Sequence, residues 1–278
     1  MIPNESAGLK KRISIWIHGG IGGGQHGQGQ PAIAKVIESL ANKYEVLIYS
    51  QLKSNPEFIP TGFNIYSASG AVRYGWLRWL YLISKFILNH IKRSHEINYA
   101  FWGYPAGVVA VLMGKLTRKP SIIHLQGRDA TSIPSLKYGA FYNPLSRTLS
   151  SWAYTQAKIL IGLTNYQSQH LARQGITRKV EIIPYGPDLD KFTMKEHRTR
   201  DDGYQFIHIG NHNLLKDQFT LLKTFCKISA GLPNSKLRII GYDALNGELR
   251  KYTTQLGIDH LVEFTGSVPY NDIPHYLQ

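Results

Sequence analysis

Gln205-Phe206-Ile207-His208-Ile209-Gly210-Asn211-His212-Asn213-Leu214-Leu215-Lys216-Asp217 reads as an apolar strand ended by a glycine, a polar loop and a helix start. The helical pattern covers 216–230, and a strand over 236–241, a helix over 246–256 and a strand over 261–265 follow it. An incipient helix over 272–278 ends the sequence. Short Ile-, Leu- and Val-rich runs with little alternation are buried on both faces. Strand–helix alternation of this kind predicts a parallel, doubly wound sheet.

The same rhythm extends toward the amino terminus. Strands are expected over 13–18, 45–50, 62–68, 97–102, 121–126, 158–164 and 179–184. Helical patterns lie between them over 31–42, 74–93, 105–116, 144–156 and 166–173. Residues 191–203 break the rhythm: they are polar, charged and without period, and read as a linker. The expected architecture is therefore α/β with two Rossmann-like domains. The first covers 1–190 and the second, incomplete with three strands, covers 204–278.

Composition narrows the function. Hydrophobic content of 43% with 18% charged residues describes a globular chain with a core. The single cysteine, Cys226, excludes an intramolecular disulfide and reads as a small apolar residue of a helix. The formal charge of +14 calls for an anionic substrate, an anionic membrane face or a basic surface without a partner. No zinc spacing, recognition-helix pattern or aromatic ribonucleoprotein motif supports nucleic acid. The polar start over 1–12 lacks the apolar core of a secretory signal, so a cytoplasmic location is expected.

Three motifs sit where strands end. After the first strand, Gly22, Gly23 and Gly24 form part of a glycine-rich loop that opens a helix at Pro31. Such loops let backbone approach a ligand and leave amides free at a positive helix end. The spacing Gly22-x-Gly24-x-x-Gly27 fits a dinucleotide fingerprint. The second strand, however, ends Ser50-Gln51 without the acid that would hold a ribose, which weakens a nicotinamide oxidoreductase. The plain alternative is a tight turn. After the fifth strand comes His124-Leu125-Gln126-Gly127-Arg128-Asp129. A histidine there can donate to a sugar hydroxyl, and an arginine can meet an anion. The plain alternative is a core histidine satisfied by a carbonyl. In the opening stretch, Lys216 can reach a diphosphate as a point charge beside helix amides; otherwise it is a surface lysine.

With the turn Pro184-Tyr185-Gly186-Pro187-Asp188-Leu189-Asp190-Lys191-Phe192, these motifs resemble the family 4 glycosyltransferases, GT-B proteins of the group 1 type. That resemblance implies a complete acceptor domain, a partial donor domain and a sugar-nucleotide site between them. It implies retaining transfer of a hexose from a UDP- or GDP-sugar, without a metal or other cofactor. The acceptor would be a saccharide or a lipid-linked saccharide of cell-surface polysaccharide synthesis. The family's motifs carry catalytic roles to His124 and Asp129, and donor contacts to the glycine loop, Gly210, Asn211, Lys216, Gly266, Ser267 and Val268. Three positions depart from the family pattern. Tyr185 replaces an asparagine, Asn211 replaces an arginine that would share the phosphate charge, and Asp243 replaces a glycine. The family's spaced glutamate pair has no counterpart before Gln278, which implies a carboxyl-terminally truncated member with impaired turnover. The rival from another class is a remnant that binds sugar nucleotide, membrane or a partner without turnover.

One helix is unusual in composition. Trp76, Trp79, Leu80, Ile83, Phe86, Ile87 and Ile91 recur at helical spacing, interrupted by Arg78, Lys85 and Lys92. Tryptophans among basic residues suit a helix lying on anionic lipid, and peripheral attachment to the inner face of a membrane is expected. The alternative is a crossover helix that packs its stripe on the sheet.

Overall fold

The computed structural model describes residues 9–19, 21–22, 29–54, 60–69, 72, 74–193, 203–232 and 234–277. The chain divides into two units, Met1–Gly186 and Pro187–Gln278.

The first unit is built on a seven-stranded parallel sheet. Its strands are β1 (Arg12–Ile17), β2 (Glu45–Ser50), β3 (Phe63–Ser67), β4 (Ile97–Phe101), β5 (Ser121–His124), β6 (Ile159–Gly162) and β7 (Glu181–Ile182), in the spatial order β3-β2-β1-β4-β5-β6-β7. The connecting helices are α1 (Pro31–Lys43), α2 (Gly75–Lys92), α3 (Val108–Thr117), α4 (Pro144–Gln156) and α5 (Asn165–Arg173). Their starts are written in the sequence. Pro31 and Pro144 occupy first-turn positions, where a missing amide costs nothing. Asn143 and Thr164 cap α4 and α5, their side-chain oxygens accepting amides of the first turn.

The sheet buries both faces. Ile13, Ile15 and Ile17 of β1 pack with Ile33 and Ile37 of α1. Trp16 points the other way, into Tyr49, Leu82 and Phe86. Its ring stacks on Tyr49 at 4.7 Å and meets Phe86 at 5.2 Å. A polar chain crosses this face: the Trp16 indole donates to Ser14 Oγ at 3.2 Å, which donates to Asn98 Oδ1 at 2.8 Å. His95 stacks on Phe86 at 4.7 Å, and burial keeps it neutral, its pKa lowered to about 3.

Several strands stop earlier than the sequence suggests. The fifth, expected to Gln126, ends at His124 because the Gln126 amide turns away to the Asp129 carboxylate at 2.6 Å. The seventh, expected over 179–184, keeps only Glu181 and Ile182 in the ladder. The third helix, expected from Pro105, starts at Val108 after an irregular turn over Gly103–Gly107.

The second unit holds β8 (Gln205–Ile209), β9 (Lys236–Ile240) and β10 (Val262–Gly266) as a parallel sheet in the order β10-β9-β8. Helices α6 (Gln218–Gly231) and α7 (Glu248–Gln255) cover one face through Leu222, Phe225 and Leu249. The short α8 (Ile273–Tyr276) places Tyr276 against Arg238 at 5.5 Å. Ile207 and Ile209 of β8 remain exposed. The unit begins just before the expected linker because Asp188 starts a turn that packs here. Lys191 reaches Asn271 Oδ1 at 2.8 Å, and the Phe192 ring meets Tyr270 at 5.6 Å. Most of the expected linker, 194–202, lies outside the described residues.

Phe86 closes the aromatic layer between α2 and the sheet. Replacing it with alanine should destabilise the first unit by about 3–5 kcal/mol, the usual cost of emptying a buried aromatic site. Urea unfolding followed by tryptophan fluorescence measures it; a loss under about 1 kcal/mol would show that the layer collapses around the gap.

Candidate active site

In a sheet of this order the strand direction of growth reverses between β1 and β4, and ligands bind outside the carboxyl ends at such a point. His18, Gly22, Trp102 and Gly103 lie in the loops leaving those two strands. Gly22 has φ +57° and is buried, whereas Gly23 and Gly24 lie outside the described residues. Trp102 has φ +71°, a conformation that costs a side-chain-bearing residue on the order of 1–3 kcal/mol. The neighbouring contacts hold it there. The Trp102 amide donates to His124 O at 3.1 Å, and the Gly103 amide donates to Asp129 Oδ1 at 3.0 Å. Only glycine fits at 103, because a Cβ there would lie 2.0 Å from the Tyr154 hydroxyl.

Asp129 is 1% exposed, and both its oxygens accept main-chain amides, from Gly103 and from Gln126. Its own carbonyl accepts the Tyr154 hydroxyl at 3.0 Å. Burial pushes its pKa up to about 7, against the pull of the two amides toward the charged form.

His124 sits at the end of β5, 3% exposed. Its Nδ1 is 2.7 Å from the Tyr99 hydroxyl, and its ring stacks on Phe101 at 5.4 Å. Burial pushes Tyr99 far up, so its hydroxyl keeps its proton and can donate to Nδ1. The neutral ring then carries its proton on Nε2, an atom that is buried and has no hydrogen-bond partner. Burial lowers the His124 pKa to about 4. The other face of the ring is covered by Tyr185, 5.2 Å away. The Tyr185 hydroxyl bonds the Gln126 side-chain amide at 2.9 Å, and the Gln126 carbonyl accepts from Gln167 of α5 at 2.9 Å. Arg128 is exposed and lies over the Tyr138 ring at 5.5 Å.

The sequence marks His124, Asp129 and Gly22 but not Tyr99, Gln167 or Trp102. A tyrosine in the buried run Ile97-Asn98-Tyr99-Ala100-Phe101 was the available sign of a polar partner for a neighbouring strand. Nothing local announces Gln167 or the conformation of Trp102.

At the second sheet, β8, β9 and β10 end in Gly210, Gly241 and Gly266 at one edge. The Gly210 amide donates to Ile240 O at 2.8 Å and the Gly241 amide to Gly266 O at 2.9 Å. A Cβ on Gly241 would fall 2.1 Å from Gly210 O, so the backbones meet where no side chain fits. Lys216 folds its aliphatic stem over Gly210: a Cβ there would lie 3.7 Å from Lys216 Cε. The sequence starts the sixth helix at Lys216, but it starts at Gln218. Asp217 takes a left-handed conformation and caps the helix, its carboxylate accepting the Thr220 amide. Lys216 thus stands in the turn before the helix, its amide held by Asn213 Oδ1 at 3.1 Å.

Asn211 is held in place by its neighbours. Its Oδ1 accepts the Tyr242 amide at 3.2 Å, and its carbonyl accepts from the buried Gln218 at 3.0 Å. Gln218 also reaches His208 Nε2 at 3.2 Å, and His208 is pushed below its usual pKa by burial and then by the Lys216 charge. His212 is buried with its Nδ1 3.5 Å from Asp243, whose carboxylate accepts the Leu245 and Gly247 amides. Ser267 and Val268 follow Gly266, both half-buried.

His124 links pH to stability with a definite sign. Its folded pKa is depressed, so its contribution is present above its ordinary pKa of 6.5 and is lost as pH falls through about 4. Asp129 works in the opposite sense, losing stability as pH rises through about 7. The histidine is therefore read directly, by NMR titration of its ring. Tyr185→Ala should move the His124 midpoint from about 4 toward 6.5; an unchanged midpoint would mean that Tyr185 does not seal the ring.

Residues 190–278 match the family model described as Glycosyl transferases group 1. An uncharacterized glycosyltransferase of Methanocaldococcus jannaschii is 26% identical over 144 residues, which cover 48% of this chain and 35% of that protein. The chain thus spans about a third of the curated relative it matches. Among solved structures, HepE of Anabaena in complex with UDP superposes with a TM-score of 0.68 at 16% identity, covering 96% of this chain and 71% of that one. The lipopolysaccharide outer core galactosyltransferase WaaB, solved without ligand, gives 0.63 at 16% identity with coverage of 96% and 71%. Likeness at that identity establishes fold, not chemistry. The carboxyl-terminal unit thus resembles the group 1 glycosyl transferases in sequence, and the chain has the fold of the GT-B glycosyltransferases.

Proposed function

We propose that this chain acts as a glycosyltransferase of family 4, moving a hexose with retention from a UDP-sugar to a saccharide or lipid-linked acceptor in surface polysaccharide synthesis. The observation that carries this reading is the loop Gly210–Asp217, which lays Lys216 over Gly210 at the carboxyl edge of the second sheet, within the segment that matches the family. HepE, which binds UDP, and WaaB, a galactosyltransferase by name, support the donor and acceptor classes.

In this reading Pro187–Gln278 binds the donor and Met1–Gly186 binds the acceptor. Lys216 supplies the positive charge for the diphosphate, and Gly210 beneath it leaves the loop free of side-chain bulk where the phosphate would sit. Asn211 is neutral and does not supplement that charge; with its Oδ1 accepting the Tyr242 amide, its Nδ2 is the group that can donate to a phosphate oxygen. Backbone at Gly266, Ser267 and Val268 holds the base. In the first unit, His124 offers a neutral ring whose Nε2–H can donate a hydrogen bond to a sugar hydroxyl. Asp129 positions the loops around it rather than touching substrate, because both its oxygens are already engaged. Gly22 supplies backbone in the loop leaving β1 at the same edge.

Lys216→Ala should weaken UDP binding by about 1.5–3 kcal/mol, the worth of a hydrogen bond to a charged group. Calorimetry on both proteins decides it, with Lys223→Ala as a surface control. Equal affinities would remove Lys216 from the donor site.

Peripheral attachment to an anionic membrane belongs to the same proposal. The apolar stripe of α2 divides in the structure. Leu82 and Phe86 are buried on the sheet and Trp79, Ile83 and Ile87 pack beside them, whereas Trp76, Leu80 and Ile91 are exposed. Among the described residues no helix is long and apolar enough to cross a membrane. Tryptophan and leucine facing outward near Arg78 and Lys85 suit the lipid interface. Trp76→Ser with Leu80→Ser should reduce sedimentation with phosphatidylglycerol vesicles severalfold; undiminished binding would leave α2 a packing element only.

A further inference from the structure

Six cationic side chains converge at the amino edge of the first sheet, opposite the edge that carries His124. Lys115, Arg118, Lys119, Lys158, Arg178 and Lys179 line a groove of about 600 Å³ where β5 and β6 begin and α3 and α4 end. That volume lies within the range of small-ligand sites.

Cations near helix carboxyl ends have an ordinary explanation, because the last carbonyls carry about half a negative charge. Arg178 shows it: its guanidinium donates to the carbonyls of Tyr154, Ala157 and Lys158 and closes the end of α4. Lys119 is paired with Glu96 at 3.0 Å, and Lys179 with Glu181 at 2.7 Å. The charges still do not balance. Six cations face two carboxylates and two helix ends worth about −0.5 each, so about three positive charges stay unmatched in one concavity. Lys115, whose ammonium donates to the neutral Gln156 side chain at 2.6 Å and to no carboxylate among the described residues, and the exposed Arg118 and Lys158 supply that excess. The floor is rigid: Lys119 N bonds Gly114 O at 2.9 Å, and Lys158 N bonds Ser121 O at 2.8 Å, so the side chains project from fixed backbone. Keeping like charges together costs stability unless an anion neutralises them.

We propose that this groove binds a multiply charged phosphate, either a free oligophosphate or the phosphorylated headgroup of a lipid. An arginine fork and several lysine point charges suit phosphate oxygens better than a single carboxylate. The site is separate from Lys216 and does not depend on the donor reading.

The test uses the whole chain, inorganic tripolyphosphate in calorimetry, and phosphatidic acid against phosphatidylcholine vesicles, at about 0.1 M salt where loose surface attraction is screened. The double variant Arg118→Ala, Lys158→Ala should weaken binding at least tenfold, while the exposed control Lys223→Ala should leave it unchanged. Tripolyphosphate binding lost in the double variant identifies a free phosphate as ligand. Binding confined to phosphatidic acid vesicles, and lost in the same variant with Trp76 and Leu80 intact, identifies a headgroup. Acetylation footprinting of the unaltered protein gives a readout that needs no substitution: the bound anion should protect Lys115 and Lys158. Absence of binding to both probes, binding indifferent to the double variant, or protection elsewhere would overturn the proposal.

Discussion

The carboxylate of Asp129 is the fixed point of the first unit's working edge. It is sealed from water, which is costly for a charge, and it recovers part of that cost by accepting the amides of Gly103 and Gln126. Those amides belong to the loops leaving β4 and β5. Holding both in one grip sets the unusual backbone of Trp102 and stops β5 at His124. The position of the histidine is thus a consequence of a buried acid a few residues later. Tyr154, donating to the Asp129 carbonyl, ties α4 into the same knot.

Tyr185 changes what that edge presents. Where the family pattern has a small amide, this chain has a ring that stacks near His124 and bonds Gln126. The histidine is then enclosed by Tyr99, Phe101 and Tyr185, which explains why its charged form is disfavoured and why one ring nitrogen lacks a partner. An unsatisfied buried donor is expensive, and its presence at the ligand edge of a parallel sheet is the physical reason to read it as prepared for a ligand.

In the proposed reading the second unit meets a different requirement. A phosphate needs main-chain amides and a cation close together without bulk between them. Three strand ends in glycine give the close backbone approach, and a loop fastened by Gln218 and the Asp217 cap returns Lys216 over the first of them. The chain's positive charge serves more than this point. It also gathers at the amino edge of the first sheet, where helix ends and two carboxylates account for only part of it.

The parallel, doubly wound fold was legible because strand and helix periods alternate without ambiguity, and because proline and Asn or Thr caps mark helix starts locally. That Gly210 and His124 stand at strand ends, with Lys216 close to a helix start, was legible for the same reason. The sequence by itself determined these elements and which residues stand at their ends, since both depend on interactions within a few residues. Tertiary structure decided the rest. That Asp129 clamps two loops, that Tyr185 covers His124, that the α2 stripe splits into buried and exposed halves and that six cations share one groove all depend on contacts between segments far apart in sequence. Such contacts are set by how strands order themselves in a sheet, and no local pattern encodes that order.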